Sequence, residues 1–300
     1  MELRQLRAFI KVAETLNFSE AAKSLFMTQS TLSQCVKQLE DELKVQLFYR
    51  NSHEVLLTEA GAELLPFARN TVQQSENCAN RMNDLNGLRC GSLNIGVTHS
   101  FSRINEEALS EFIKVYPNIR LNVVYKTMGE LIDLLVQREL DFVLSYKPYK
   151  HYPQIESHVI FEDVLSLIVH KEHQMAKLNS VTLNDLAKCR LILPAKGLQA
   201  RNVLERILDE NRMTLEAQIE LNQVTPLMRL IHNKYLATVL SSTTINMYPE
   251  LRAIPIESPY SRMEGSFHIL KDSYRKESVK EFIRILIETD EMRKLRGRWI

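Results

Sequence analysis

The chain has 300 residues, enough for two or three domains, with 45% hydrophobic residues and a formal net charge of only +1. It has no run of about 18 apolar residues and no signal-peptide core, so we expect a cytosolic protein without membrane contact. The four cysteines are scattered, which argues against a disulfide framework and a zinc site. No metal and no cofactor are expected. Because the charge is balanced, nucleic-acid binding would have to depend on where the charges lie.

Three helices are predicted at the N-terminus. Apolar residues recur at helical spacing over residues 3–16. Ser19 is expected to cap a second helix running from Glu20 to about Leu25, and Thr28 is expected to cap a third. The buried stripe of the third helix is predicted to consist of Leu32, Val36, Leu39 and Leu43.

The opposite face of the third helix is free of carboxylates, although Glu40, Asp41 and Glu42 follow directly. Side chains that are polar or basic can reach base edges and phosphates without repelling the DNA. A solvated face of an ordinary helical bundle explains this pattern equally well. The candidate DNA-binding residues on this face are Gln29, Ser30, Thr31, Ser33, Gln34 and Lys37.

Two short strands are predicted after the third helix, over residues 45–50 and 54–57. A helix-turn-helix followed by a β-hairpin is a winged helix, whose hairpin tip can reach the DNA backbone or the minor groove. The candidate contacts from this hairpin are Arg50, Asn51 and His53.

The stretch FSEAAKSLFMTQSTLSQCVKQLEDELKVQLFYR, with LLTEAG after it, resembles the DNA-binding region of the LysR-type transcriptional regulators. The matches include Ala21-Ala22, Leu39-Glu40, Leu47-Phe48 and Leu57-Thr58-Glu59-Ala60-Gly61. The resemblance implies that Gln29, Ser30 and Ser33 contact DNA. Three residues depart from the family pattern: Ser30 replaces a usual proline, Cys35 a common glutamine, and Lys44 a glycine that would end the helix without strain.

A long helix is predicted from its N-cap Thr58 to Asn86-Gly87. Its heptad-like seam is formed by Leu65, Ala68, Val72, Ser75, Ala79 and Met82. This seam favours pairing with a second helix, and packing against the helix's own chain is the alternative. The resemblance implies that the helix dimerises the protein and that two dimers form a homotetramer that bends DNA.

Strands and helices alternate from Gly91 onward, which predicts parallel sheets with right-handed crossovers. The predicted strands cover residues 93–97, 120–125, 141–145, 165–169, 190–193, 217–221, 236–240 and 266–270. Two α/β lobes joined by two crossings, the first near Phe161-Glu162, would enclose a cleft as in periplasmic binding proteins. The resemblance implies an effector domain with the same arrangement.

The predicted fold class is therefore α/β, with an N-terminal winged helix-turn-helix domain rich in α-helix and a two-lobed effector domain like a periplasmic binding protein. The expected domains are 1–58 for DNA binding, 59–88 for the linker and dimerisation helix, and 91–300 for effector binding. Lobe I is assigned residues 91–161 and 266–300, and lobe II residues 162–265.

Ligands of open α/β sheets bind beyond the carboxyl ends of the strands, near helix N-termini. This rule gives the candidate effector-binding residues Thr98, His99, Ser100, Phe101, Thr127, Met128, Pro194, Ala195, Lys196, Gly197, Gln199, Val224 and Thr225. His99 and Lys196, together with the helix N-termini, predict a small anionic effector. The alternative is that Lys196 is simply solvated and that His99 packs at a lobe edge.

We interpret the sequence as a LysR-type transcriptional regulator. No motif typical of an enzyme occurs, and no enzymatic activity is expected. The expected partners are double-stranded DNA, a small-molecule effector, further copies of the chain as homodimer or homotetramer, and RNA polymerase. Two alternatives remain: an architectural DNA-binding protein without an effector, and a cytosolic ligand-binding module whose winged helix serves protein association.

Overall fold

The structure is a computed structural model that describes residues 1–50, 54–85, 91–271 and 273–296. Its internal contacts divide the chain into two compact units, residues 1–87 and residues 88–300. Within the described ranges, no helix is both long enough and apolar enough to cross a membrane.

The N-terminal unit is a helix-turn-helix with a β-hairpin and a long helix after it. In the described residues its elements are α1 (Leu3–Thr15), α2 (Phe18–Ser24), α3 (Gln29–Leu43), β1 (Phe48–Arg50), β2 (Val55–Leu57) and α4 (Glu59–Leu85). The two strands pair antiparallel, with Phe48 opposite Leu57. The predicted winged helix-turn-helix is confirmed, with strands shorter than the sequence indicated.

The start of α2 differs from the prediction. Helix α2 begins at Phe18, two residues before Glu20, and its N-cap is Asn17. The Asn17 side-chain carbonyl accepts hydrogen bonds from the backbone N–H groups of Ser19 (2.9 Å) and Glu20 (3.1 Å). The prediction of Ser19 as the cap is therefore wrong, because the Asn17 amide already satisfies the free donors of the first turn.

The buried side of α3 follows the predicted stripe. Leu32, Val36 and Leu39 are fully buried in the core of the N-terminal unit, and Leu43 is half-buried at its edge. The helix ends at Lys44, which adopts the left-handed conformation with φ 59° and ψ 27°. Lysine thus takes the conformation that a glycine would adopt there without cost.

Helix α4 divides its predicted seam between two environments. Ala68 is buried in the same core as α3, and Leu65 and Val72 pack against that core. Further along the helix Ala79 is exposed, and the Met82 side chain is 56% exposed. Packing on the helix's own chain therefore accounts for the first half of the seam only.

The second unit alternates strands and helices, as predicted. Its described elements are β3 (Gly91–Val97), α5 (Ser102–Val115), β4 (Ile119–Tyr125), α6 (Met128–Val136), β5 (Phe142–Tyr146), β6 (Ile155–His170), α7 (Leu183–Leu186), β7 (Arg190–Pro194), α8 (Gln199–Glu210), β8 (Ile219–Leu221), α9 (Val224–Leu230), β9 (Leu236–Ser241), β10 (Leu251–Pro255), β11 (Arg262–Leu270), α10 (Glu277–Glu288) and α11 (Asp290–Arg296).

The strands follow the order β4-β3-β5-β11-β6-β9-β7-β8, with β10 also paired to β6. β3 is parallel to β4 and β5, and β7 is parallel to β8 and β9, so each lobe has a parallel centre. Strand β6 passes between the lobes, and β11 runs antiparallel to its first part.

The first crossing lies inside one strand of 16 residues, β6. Its first part, up to Val164, pairs with β11 in lobe I, and from Leu165 it pairs with β9 and β10 in lobe II. The return strand β11 begins at Arg262, four residues before the predicted start. Strand β10 and helix α11 were not predicted.

Candidate DNA interface and effector cavity

The outward face of α3 is polar and accessible. Gln29, Ser30, Gln34 and Lys37 are exposed, whereas the candidates Thr31 and Ser33 are half-buried. Because the stripe on the opposite side is fully buried, the helix has one orientation in its unit, and this polar face is the one that it presents outward.

A network of hydroxyl groups holds the start of α3. The Thr28 hydroxyl oxygen accepts a hydrogen bond from the backbone N–H of Thr31 and lies 2.9 Å from the Ser30 hydroxyl and 2.8 Å from the Thr31 hydroxyl. The predicted Thr28 cap is confirmed. Ser30, in the place of the usual proline, contributes a hydroxyl to this network.

Arg50 contacts two side chains among the described residues. Its Nη2 donates to Glu40 Oε2 at 2.7 Å, and its guanidinium lies 4.7 Å from the centre of the Phe18 ring. Glu40 Oε1 also accepts from the backbone N–H groups of Leu47 and Phe48. Sequence reasoning missed this role of Glu40, which joins the end of α3 to the hairpin. Asn51 and His53, the other hairpin candidates, lie outside the described residues.

A cavity of about 540 Å³ lies between the two lobes of the second unit. Four of the predicted effector residues line it: His99 and Ser100 from lobe I, and Val224 and Thr225 from lobe II. The ring of His99 also stacks on Tyr125 at 5.8 Å between centroids. The volume of the cavity is in the range of small-molecule sites in proteins.

The remaining candidates do not line this cavity: Thr98, Phe101, Thr127, Met128, Pro194, Ala195, Lys196, Gly197 and Gln199. Phe101 and Met128 are buried in apolar clusters, and Thr98 donates to the backbone carbonyl of Leu144. The Thr127 side chain forms a capping box with Glu130.

Lys196 is exposed and does not line the cavity. Lys196 and His99 therefore do not line this cavity together, and their convergence at an effector site stays a prediction. The loop after β7 does reach the other lobe: a Cβ on Gly197 would lie 3.9 Å from the Thr127 methyl group.

The cation that lines the cavity is Arg103, near the start of α5. Its Nη2 donates to Glu291 Oε1 at 2.7 Å, and Glu291 belongs to the unpredicted helix α11. Arg103 Nη1 and Asn246 Oδ1 are buried without a hydrogen-bond partner among the residues described. Both residues line the cavity.

Asp163 is a buried carboxylate at the crossing between the lobes, where it is 1% exposed. One oxygen accepts from Tyr146 of lobe I and from Thr243 of lobe II, both at 2.6 Å, and the other accepts from Ser242 at 2.7 Å. Burial, followed by the charge of Asp163, raises the pKa of Tyr146 well above its usual value. Tyr146 and Thr243 also line the cavity, so a ligand there would lie beside the Asp163 network.

Comparison with known protein families gives two matches that cover most of the chain. Residues 3–62 match the bacterial regulatory helix-turn-helix proteins of the lysR family, and residues 86–291 match the LysR substrate binding domain. The chain belongs to the LysR family. It is a LysR-type transcriptional regulator with a helix-turn-helix domain and an effector-binding domain, as the sequence predicted.

Proteins similar to this LysR-type regulator include a curated regulator and two solved structures. The transcriptional regulator ShiR of Corynebacterium glutamicum is 37% identical over 190 residues, 63% of this chain and 64% of that protein. Full-length OxyR from Pseudomonas aeruginosa, solved as a variant, has a TM-score of 0.76 at 18% identity, with 98% of this chain and 97% of that chain covered. Full-length CbnR, solved with its target DNA, has a TM-score of 0.58 at 23% identity, with 95% and 99% covered. The two structures share the fold of this regulator.

Proposed function

We propose that the exposed face of α3 enters the major groove of DNA, where Gln29 and Ser33 contact bases and Lys37 contacts a phosphate. The observation that carries this proposal is the pairing of a fully buried apolar stripe with an outward face that bears no carboxylate from Gln29 to Lys37. A helix in the major groove lies close to phosphates on both sides, so a carboxylate on this face would be repelled.

A charge placed on this face tests the proposal. Ser33→Glu introduces a carboxylate at its centre and should lower operator affinity about 100-fold, with the fold retained. The matched control is Asn70→Glu, which adds the same charge on the exposed side of α4 and should change affinity about twofold or less. Operator fragments recovered by genomic binding-site selection, measured by fluorescence anisotropy, give the readout. Equal losses in the two variants would contradict the proposal.

Arg50 is proposed to contact a phosphate while it keeps its protein partner. Its guanidinium donates through Nη2 to Glu40 at 2.7 Å, and a guanidinium has five N–H donors. A phosphate oxygen can therefore accept a charge-assisted hydrogen bond from another of these donors.

We infer that the regulator forms dimers through the second half of α4, in the cytosol, and that two dimers combine into a tetramer. Ala79 and Met82 leave small and apolar surface exposed there, and burial of such surface drives association. Met82→Glu should shift the sedimentation coefficient to that of a smaller species, whereas Asn70→Glu should leave it unchanged. An unchanged assembly of the Met82→Glu protein would contradict this interface.

We propose that the effector is a small polar molecule of low net charge bound in the 540 Å³ cavity. Arg103 and Glu291 line the cavity and already neutralise each other. Polar side chains of both lobes also line the cavity, among them Ser102, Thr225 and Asn246, and they favour a ligand with hydrogen-bonding groups. The anion argument from Lys196 does not apply to this cavity.

Binding of the effector is proposed to act through Asp163. A ligand that hydrogen-bonds Tyr146 or Thr243 competes with bonds that join lobe I to lobe II, and so changes the relative stability of the lobe arrangements. The experiment is a thermal-shift screen of polar metabolites on the full-length protein. Thr225→Val, inside the cavity, should abolish the shift of a true ligand, and Lys196→Ala, outside it, should preserve the shift. The reverse pattern would place the ligand at the Lys196 loop instead.

A further inference from the structure

We propose that Ser19 is a positioning residue for DNA recognition: its hydroxyl holds the Gln29 side chain so that the amide nitrogen is left to meet the DNA. The Ser19 hydroxyl donates to Gln29 Oε1 at 2.9 Å. This inference rests on the proposed base-reading role of Gln29. The contact joins α2 to α3, and in the described part of the chain Gln29 Nε2 has no hydrogen-bond partner.

Both ends of this contact have a fixed backbone. Asn17 accepts hydrogen bonds from the N–H groups of Ser19 and Glu20, and the side chain of Phe18 is buried in the core of the N-terminal unit. Phe18 packs edge-on against the Phe48 ring at 5.8 Å. The start of α2 is therefore held from two sides, so the Ser19 hydroxyl has a defined position.

Gln29 is the first residue of α3, directly after the Thr28 cap. Helices α2 and α3 contact each other, and Ala21 and Ala22 of α2 are buried in the core of the N-terminal unit. The backbone at Gln29 is thus fixed relative to Ser19, while its long side chain is exposed and would otherwise sample many rotamers. A single hydrogen bond at the end of the side chain removes most of that freedom before DNA arrives.

An amide that is held at its oxygen presents the two Nε2 hydrogens as donors. Base edges in the major groove offer acceptors such as N7 and O6 of guanine. Loss of the Ser19 hydroxyl would leave Gln29 free to swing away from its base, so discrimination between sequences should fall. Binding to phosphates, which does not involve this amide, should be retained.

The test uses the full-length protein and an operator defined by binding-site selection with the wild type. Ser19→Ala should lower the affinity ratio between the operator and a site mutated at the Gln29-contacted base pair about fivefold. Affinity for unrelated DNA should change less than about twofold. Ser19→Thr, which keeps the hydroxyl, should restore the ratio. Ser24→Ala is the matched control, because the Ser24 hydroxyl donates to backbone carbonyls of α2 itself.

A double-mutant cycle identifies the route by which Ser19 acts. In a Gln29→Ala background, Ser19→Ala should cause no further loss of discrimination, because its effect passes through Gln29. If Ser19→Ala instead weakens all sequences equally in both backgrounds, Ser19 contacts phosphate directly and the inference is wrong. If Gln29→Ala lowers discrimination and Ser19→Ala does not, the inference alone fails. If Gln29→Ala itself leaves discrimination intact, the base-reading role of Gln29 fails, and the inference fails with it.

Discussion

The phenol of Tyr146 donates a 2.6 Å hydrogen bond to the carboxylate of Asp163, and both groups are buried. Tyr146 ends β5 of lobe I, whereas Asp163 lies where β6 leaves lobe I for lobe II. The hydroxyl groups that donate to Asp163 come from both lobes. The bond therefore contributes to the stability of the second unit and to the proposed response to an effector.

Tyr146→Phe should lower the free energy of unfolding of the second unit by about 1–3 kcal/mol, because the buried carboxylate loses one of its donors. Urea unfolding followed by intrinsic fluorescence measures the change. Tyr235→Phe is the control, because Tyr235 is 64% exposed. Equal stability of the wild type and Tyr146→Phe would show that Asp163 does not depend on this donor.

Lys44→Gly should stabilise the N-terminal unit by about 1 kcal/mol. Lys44 has φ 59°, a conformation that a residue with a Cβ adopts at a cost and glycine adopts freely. Lys44→Ala keeps the Cβ and should leave stability nearly unchanged. Thermal unfolding of both variants provides the comparison. A destabilised Lys44→Gly protein would mean that the left-handed conformation is not the one populated there.

The stability of lobe I should fall as the pH is lowered from 6.5 to about 4. Burial lowers the pKa of His268 from 6.5 to about 4, and the ring lies within 2.9 Å of the Ser145 hydroxyl and 2.8 Å of the Ser157 hydroxyl. In this window the unfolded chain binds a proton that the folded chain excludes, so the contribution is complete above pH 6.5 and lost on acidification.

Because of His268, the free energy of unfolding should fall by about 2 kcal/mol between pH 7 and pH 5. This loss is a property of the titrating ring. It should be absent in His268→Asn, which removes the titrating group and keeps a side chain that can bond to the two serines. The exposed His151→Asn should keep the wild-type pH dependence. Burial also lowers the pKa of His173, but its contribution is common to all three proteins. An unchanged slope in His268→Asn would contradict the assignment.

Arg206 links the lobes by a second kind of contact. Its guanidinium lies 4.1 Å from the Tyr149 ring centre and 4.4 Å from that of Tyr260. Tyr149 follows β5 of lobe I, and Arg206 belongs to α8 of lobe II. Arg206→Met, which keeps the apolar stem, should cost about 1 kcal/mol of stability.

Lys234→Met provides the control for Arg206. The ammonium of Lys234 lies 5.8 Å from the exposed Tyr235 ring, so its removal should have little effect. Urea unfolding measures both variants. Equal effects of the two substitutions would indicate that the stacking of Arg206 between two rings does not contribute to stability.

The periodic parts of the chain could be predicted from the sequence. The stripe at Leu32, Val36 and Leu39 is buried as the helical spacing indicated, because this pattern depends on local geometry alone. The alternation of strands and helices after Gly91 was recognisable for the same reason. The start of α2 could not be predicted from the sequence, since Asn17 and Ser19 are both good N-caps and only the surrounding structure selects between them.

Features that depend on long-range contacts could not be predicted. Strand β6 changes partners after Val164 while it remains one continuous strand, so no break in the sequence pattern marks the change. Glu291 and Arg103 form an ion pair although they are 188 positions apart in the sequence. No local sequence pattern predicts such a pair. Lys196 follows a strand, as a site residue would, but the direction of a loop side chain is set by packing.

The salt dependence of operator binding tests the central claim most directly. Lys37→Ala should reduce the slope of log affinity against log salt by about one and weaken all sequences equally, because it removes one phosphate contact. Gln29→Ala should leave that slope unchanged and lower the preference for the operator by about 1–3 kcal/mol. If both variants lose only salt-dependent, sequence-independent affinity, the polar face of α3 does not read the DNA sequence and the account is wrong.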